Sequence, residues 1–303
     1  MSRRAVLLFA GLSIAWGIPY LLIKIAVEEL SPLTLVFART ALAAVLLLPV
    51  AIARGWVRPV LARWPKLLVF TAVEITVPWL LLSRAEQHLS SSLTALLVAA
   101  VPLVGVGVAM VTGRREQLGR LGGLGLLVGI AGVGLLVGVD VSGSQWSAVA
   151  EMGVVVVGYA FGAALLARWF SDVPGPGVVA LSLTAAALGY LPFAVPGLPS
   201  TMPSGRVVLA VVLLALVSTA AAFLLLVALV GEIGPVRATT ITYVNPAVAV
   251  VAGALVLGEQ VTVWTLGGFA LVIAGSVLVN RRQPAQEVLD ESAPCPAPVT
   301  AAT

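Results

Sequence analysis

The chain has 303 residues, 60% of them hydrophobic and 10% charged. A soluble domain carries about 45–50% apolar and about 25% charged residues, so these side chains cannot cover a water-facing surface and the solvent must be lipid. One cysteine, Cys295, excludes a disulfide framework and a thiolate metal site, and one histidine, His88, leaves little room for imidazole chemistry. A net charge of +4 would suit nucleic acid in a soluble protein. In a membrane protein it reports cytoplasmic loops, so no nucleic-acid partner is expected.

Crossing ~30 Å of hydrocarbon at ~1.5 Å per residue takes about 20 mainly apolar residues. Ten such segments follow one another: 5–24, 32–53, 65–84, 90–112, 120–139, 146–169, 175–197, 206–230, 235–257 and 262–280. Turn residues fill the gaps, among them Ser31-Pro32, Arg54-Gly55, Ser142-Gly143-Ser144 and Gly234-Pro235. Ser2-Arg3-Arg4 before an apolar run has the look of a signal peptide. The run is too long for an h-region, no A-x-A site follows and Lys24 ends it, so a retained span is expected. Residues 283–303 carry Pro, Ala and acids without period and read as a disordered tail.

Lys and Arg set the orientation. With the N-terminus in the cytoplasm, the inner ends hold Arg3, Arg4, Arg54, Arg58, Arg63, Lys66, Arg114, Arg115, Arg120, Arg168, Arg237, Arg281 and Arg282. The outer ends hold only Lys24, Arg84 and Arg206. Both termini are therefore expected inside an inner (cell) membrane.

The chain repeats itself. Pro102 aligns with Pro246, Glu116-Gln117 with Glu259-Gln260 after a one-residue slip, and Ile130-Ala131-Gly132 with Ile273-Ala274-Gly275. Recurrence of one unit along a chain signals a duplicated architecture. Five spans per copy is odd, so the second copy enters the membrane upside down. The expected fold is an all-α integral membrane protein of ten transmembrane helices in two inverted five-helix repeats, residues 1–140 and 141–282, with a cytoplasmic tail at 283–303. Inverted repeats around a midplane site characterise secondary transporters.

The run Ala15-Trp16-Gly17-Ile18-Pro19-Tyr20-Leu21-Leu22-Ile23-Lys24 and the two Pro…Glu hinges (Pro102…Glu116, Pro246…Gly258-Glu259) resemble the EamA family of the drug/metabolite transporter superfamily. The likeness spans about 5–138 and 146–280. It implies export or exchange of small organic metabolites, amino acids among them. Two places depart from the pattern: Gly113-Arg114-Arg115-Glu116 stands where the family has Gly-Glu, and the second copy has Gly158-Tyr159 and Arg168 in place of the Trp-Gly start.

Polarity deep in the membrane marks candidate solute contacts, because a charge at the bilayer centre costs about 2.5–3.5 kcal/mol on insertion scales. Glu74 sits mid-span and reads either as a solute-binding or proton-coupling carboxylate or as a structural one. Arg39 could meet Glu74 or a solute carboxylate, or snorkel to the outer headgroups; Lys24 reads similarly, with an interfacial anchor favoured. Trp16, Tyr20, Trp79, Tyr159 and Tyr243 offer aromatic walls, and Asn245 a polar tip before Pro246. Pro102 and Pro246 are expected helix kinks, since each lacks an N–H and crowds the preceding turn. Gly125-x-x-x-Gly129, Gly134-x-x-x-Gly138 and Gly158-x-x-x-Gly162 allow close packing within the chain or in a homodimer.

No phosphate-binding loop, cofactor motif or metal cluster is visible, so a carrier driven by a gradient is expected rather than an enzyme. The partners are a small-molecule solute and the bilayer. A drug-cation carrier would lean on Glu74 and the aromatics; a nucleotide-sugar carrier would want more embedded Lys and Arg. A lipid-modifying enzyme or a scaffold fits the residues poorly.

Overall fold

The structure is a computed structural model, which describes residues 2–111, 120–140, 143–234, 238 and 240–280. The Arg115-Glu116-Gln117 hinge and the tail after 280 lie outside these residues. Helices follow in order: α1 (Arg3–Ala26), α2 (Pro32–Ala53), α3 (Trp64–Ala85), α4 (Ser91–Ala109), α5 (Arg120–Asp140), α6 (Trp146–Trp169), α7 (Gly175–Gly197), α8 (Gly205–Ile233), α9 (Ile241–Leu257) and α10 (Val263–Asn280). Eight are long and apolar enough to cross a membrane; α9 and α10 are shorter apolar helices. No strand occurs among the described residues. The chain is thus an all-α, ten-helix membrane protein, with boundaries close to those expected except at α9, whose first expected turn is only partly described.

Serine caps start the helices where the sequence turns. Ser31, Ser90 and Ser204 accept from the N–H groups of Thr34, Leu93 and Val207, each satisfying one orphan donor of a first turn. Proline does the reverse. Pro19 restarts α1 after an interruption at Ile18. Pro102 follows a break of α4 at Ala99-Ala100, whereas α9 runs unbroken through Pro246, so the expected second kink interrupts no helix.

Two helices contain a π-turn, Ala72–Thr76 in α3 and Leu216–Ala221 in α8, beginning 144 residues apart. One extra residue per turn rotates the side chains that follow. In α3 it re-aims Glu74; the counterpart in α8 is Ser218-Thr219. Tyr190 donates its hydroxyl to the carbonyl of Thr76 at the end of this turn. The helix contacts repeat in the same register: α2 packs on α7, α4 on α9 and α5 on α10, while α3 on α6 mirrors α8 on α1. This is the pattern that two related five-helix halves would give.

Glycine permits the tightest of these contacts. A Cβ on Gly275 would stand 2.5 Å from the carbonyl oxygen of Gly125, and one on Gly132 would stand 2.7 Å from the nitrogen of Val272. The Gly125 motif is thus used within the chain, between α5 and α10. Leu7 (73%) and Leu255 (80%) are exposed, as side chains on a lipid-facing surface should be.

The two ends of the bundle differ. At the end expected to face outward, one apolar cluster joins both halves: Leu22, Leu30, Leu82, Leu89, Leu136, Met152, Val207, Leu214, Val250 and Val272 belong to it. At the other end the core divides. Leu12, Leu229 and Ile241 (α1, α8, α9) form one cluster, Leu67, Phe70, Phe170 and Val178 (α3, α6, α7) another, and Ala100, Leu103 and Val156, with Leu126 and Val279 against them (α4, α5, α6, α10), a third. Polar ties follow the same division. Ser2 and Arg4 hold Glu232 within the first inner group, and Arg63 holds Asp172 and the Trp169 carbonyl within the second. Ties at both ends thus join residues of the first half to residues of the second: at the outer end Glu29 accepts from the Ser204 N–H and Thr34 donates to the Gly197 carbonyl.

Candidate functional site

Arg39 lies two turns below the outer start of α2 and is 5% exposed. Its Cζ sits 3.8 Å from the centroid of the Trp79 ring on α3, a cation–π contact. Its Nε has no hydrogen-bond partner. Snorkelling is therefore excluded: the guanidinium points into protein. The ionisable groups whose charge acts on it are Tyr159, Glu86 and Tyr20. No ion pair joins Arg39 to Glu74 among the described residues, so the pairing the sequence allowed does not form.

Glu74 points instead at α6. A Cβ on Gly162 would fall 1.8 Å from Glu74 Oε2, and one on Gly158 would fall 2.8 Å from both Pro78 Cγ and the Val73 carbonyl. Gly158-x-x-x-Gly162 is thus the seat of the α3 π-turn. The Glu74 Oε2 atom is buried without a partner, although the side chain as a whole is only half-buried. Tyr159, one turn away on α6, is the neighbour its charge reaches.

Across the centre, Trp16 meets Phe223 of α8 edge-on, with ring centroids 6.1 Å apart. Phe223 and Trp79 both pack on the cluster of Ala43, Ile75, Leu183 and Ala215, which links the two aromatic groups. Asn245 adjoins α1, its backbone oxygen 3.0 Å from where a Gly17 Cβ would stand, and its Oδ1 is buried and unpaired. Tyr20, Trp16, Trp79, Tyr159, Tyr243 and Asn245 are all half-buried, at depths of roughly 9–21 Å from the outer helix ends at ~1.5 Å per residue. The structure thus brings Tyr20, Arg39, Trp79 and Tyr159 together, with Glu74 below them and Trp16 and Asn245 on the facing wall.

Buried polar atoms in folded proteins almost always have partners. Arg39 Nε, Glu74 Oε2 and Asn245 Oδ1 are exceptions, one donor and two acceptors, set among aromatic rings. A separate groove of about 430 Å³ opens between α2 and α7, lined by Phe37, Ala41, Leu48, Leu188 and other apolar residues. Its one hydroxyl, Thr184, is spent on the Ala180 carbonyl, so it offers nothing to a polar solute.

The sequence of the EamA-like transporter family matches residues 3–138 and again 148–281. The chain belongs to the EamA-like transporter family. Among relatives of this EamA-like chain, the uncharacterized inner membrane transporter YedA of Escherichia coli K12 is 29% identical over 276 residues, covering 90% of this chain and 89% of its own. The uncharacterized transporter YvbV of Bacillus subtilis 168 is 26% identical over 293 residues, 94% of each chain. A solved crystal structure superposes with a TM-score of 0.66 at 19% identity, over 92% of this chain and 97% of the other, which supports the fold.

Several residues of this EamA-like chain escaped sequence reasoning. Phe223 looked like one more apolar position in α8. Lys24 is no headgroup anchor: its Nζ donates to the carbonyls of Glu86 (2.6 Å) and Leu89 (2.7 Å). Glu259, read as a turn residue, reaches across to α4. Its carboxylate accepts from the Ser91 N–H at 2.7 Å, the Ser92 N–H at 3.0 Å and the Ser92 hydroxyl at 2.5 Å. Gly258 makes this possible by adopting φ 66°, which ends α9 and turns the chain back. Gly253 leaves the space; a Cβ there would stand 2.5 Å from Glu259 Oε2 and 2.8 Å from Ser91 Oγ. The only available signal was that glutamate recurs at this hinge in both copies.

Proposed function

We propose that this EamA-like chain is a secondary transporter of the inner (cell) membrane that moves small organic metabolites, amino acids among them, by alternating access. The observation that carries this reading is the set of unpaired buried atoms, Arg39 Nε, Glu74 Oε2 and Asn245 Oδ1, on half-buried aromatic walls at mid-depth. A solute bearing an acceptor group and a donor group would satisfy them. Arg39 offers a planar, permanently charged fork for a carboxylate, and Trp79 fixes its plane.

Support for alternating access comes from the unequal ends. One continuous core seals the side expected to face outward, while toward the opposite side the core divides into separate clusters. That arrangement describes a carrier closed to the outside and divided toward the cytoplasm. Two near-mirror halves supply the alternative packing.

The test is efflux of a panel of radiolabelled amino acids and organic cations from proteoliposomes. Saturable movement of a carboxylate-bearing solute, lost in Arg39→Ala, supports the reading. Movement of organic cations alone, lost in Glu74→Gln and indifferent to Arg39→Ala, would replace it with a cation carrier.

A further inference from the structure

Glu86 lies just past the end of α3, is 0% exposed, and neither carboxyl oxygen has a hydrogen-bond partner. A carboxylate taken out of water without donors costs several kcal/mol, and such a group keeps its proton instead. The neighbouring cation does not compensate: Lys24 spends its ammonium on the Glu86 and Leu89 carbonyls and makes no ion pair with the Glu86 side chain. The hydroxyl of Ser91, also 0% exposed, is unpaired as well. The charged and titratable groups facing Glu86 are Lys24 from α1, Glu259 from the hinge between α9 and α10, Arg39 from α2, and Tyr20 and Tyr159. Burial pushes the Glu86 carboxyl well above its ordinary range; Lys24 and Arg39 oppose this and Glu259 adds to it.

This cluster sits in the outer seal. Leu82, Ala85 and Leu89, which flank Glu86, belong to the cluster that joins the two halves there, and Glu259 and Lys24 tie the same turn to the second half and to α1. From this placement, and resting on the alternating-access reading above, we propose that Glu86 is a proton-binding site that controls the outer gate: the gate closes over Glu86 only when its carboxyl is protonated.

The step is a simple proton transfer. With the outer gate open, water reaches Glu86, and a hydronium ion gives up a proton to one carboxylate oxygen, forming an O–H bond and leaving water. The neutral carboxyl can then be buried, and the Lys24 and Glu259 ties form above it. Release on the inner side returns the proton to water, and Arg39, whose charge acts on Glu86, stabilises the anion left behind. The sign follows. A raised pKa in the closed form means closure is favoured at low outer pH and lost as pH rises through that value.

The experiment measures gate opening and needs no solute. Cys295 is the sole cysteine, so Cys295→Ser gives a cysteine-free background. Val207→Cys then places a reporter in the outer seal, where Val207 is 1% exposed. Cells are labelled from outside with a membrane-impermeant maleimide from about pH 5 to about pH 9, with the rate expected to rise with pH. In Glu86→Gln, which mimics the protonated form, the rate at the alkaline end should drop on the order of tenfold and its pH dependence disappear. Glu86→Asp, which keeps the carboxyl, should retain a pH-dependent rate with a displaced midpoint and so controls for misfolding. An unchanged pH profile in Glu86→Gln overturns the proposal, as does a reporter that stays unlabelled at every pH. A rate that follows sodium rather than pH overturns it too, in favour of a metal-cation site. Failure of the Glu86 assignment leaves solute efflux intact, whereas failure of the transport reading appears as absent efflux with the labelling profile preserved.

Discussion

Glu259 of the hinge after α9 closes the N-terminus of α4, 168 residues earlier in the chain, by accepting from Ser91 and Ser92. This carboxylate ties the second half to the first at the outer end. Hydrogen bonds to a charged acceptor contribute about 1.5–3 kcal/mol each. Glu259→Gln should therefore weaken the outer seal and raise external labelling of a Val207→Cys reporter several-fold at fixed pH. Gly253→Ala, which intrudes on the space Glu259 occupies, should do the same without removing the carboxylate.

Arg39 over Trp79 is expected to set affinity for carboxylate-bearing solutes. Lysine keeps the charge but loses the planar fork and the stacking. A desolvated cation–π contact is worth about 2 kcal/mol, so Arg39→Lys should raise the KM of such a solute by at least roughly tenfold. Trp79→Leu should act in the same direction. A cationic solute should be indifferent to both substitutions.

Gly162 leaves room for the Glu74 side chain, and alanine there would overlap Glu74 Oε2. Overpacking of this kind costs about 1–3 kcal/mol. Gly162→Ala should lower the unfolding temperature in detergent and slow transport, whereas alanine at Gly134, which meets nothing within 4 Å, should leave both unchanged.

At the end expected to face the cytoplasm, Arg63 donates to both oxygens of Asp172, at 2.6 and 2.5 Å, and holds its pKa down at about 2. A depressed carboxyl contributes stability above its unfolded value and loses it as pH falls toward the folded one. Melting temperature should thus fall between about pH 4 and about pH 2, and Asp172→Asn should flatten that limb. The pair is exposed, so the effect should be small and shrink with salt.

Opposite facing of the two hinges is the remaining topological expectation. Single cysteines at Arg115 and at Gln260 should react with impermeant reagents from opposite sides of the membrane. Reaction from one side alone would dismiss the inverted arrangement.

Much of the fold was legible in residues alone. Ten apolar runs of near-bilayer length have one physical meaning, because unpaired backbone cannot stand in hydrocarbon and must close into helices. Glu74 stood out by depth, and the recurrence of Pro102 and Pro246 pointed to two copies. Which face of each helix meets protein was another matter. Lipid is as apolar as a core, so Leu255 facing outward and Leu214 facing inward look alike in sequence, and no polar stripe separates them. Tertiary packing alone decided that Glu74 turns to Gly162 and not to Arg39, and that Phe223 joins Trp16. It also revealed that Glu86, beside a turn, is fully buried among the residues that join the two halves at that end. Those relationships join residues distant in the chain, and they are fixed by how ten helices share one interior.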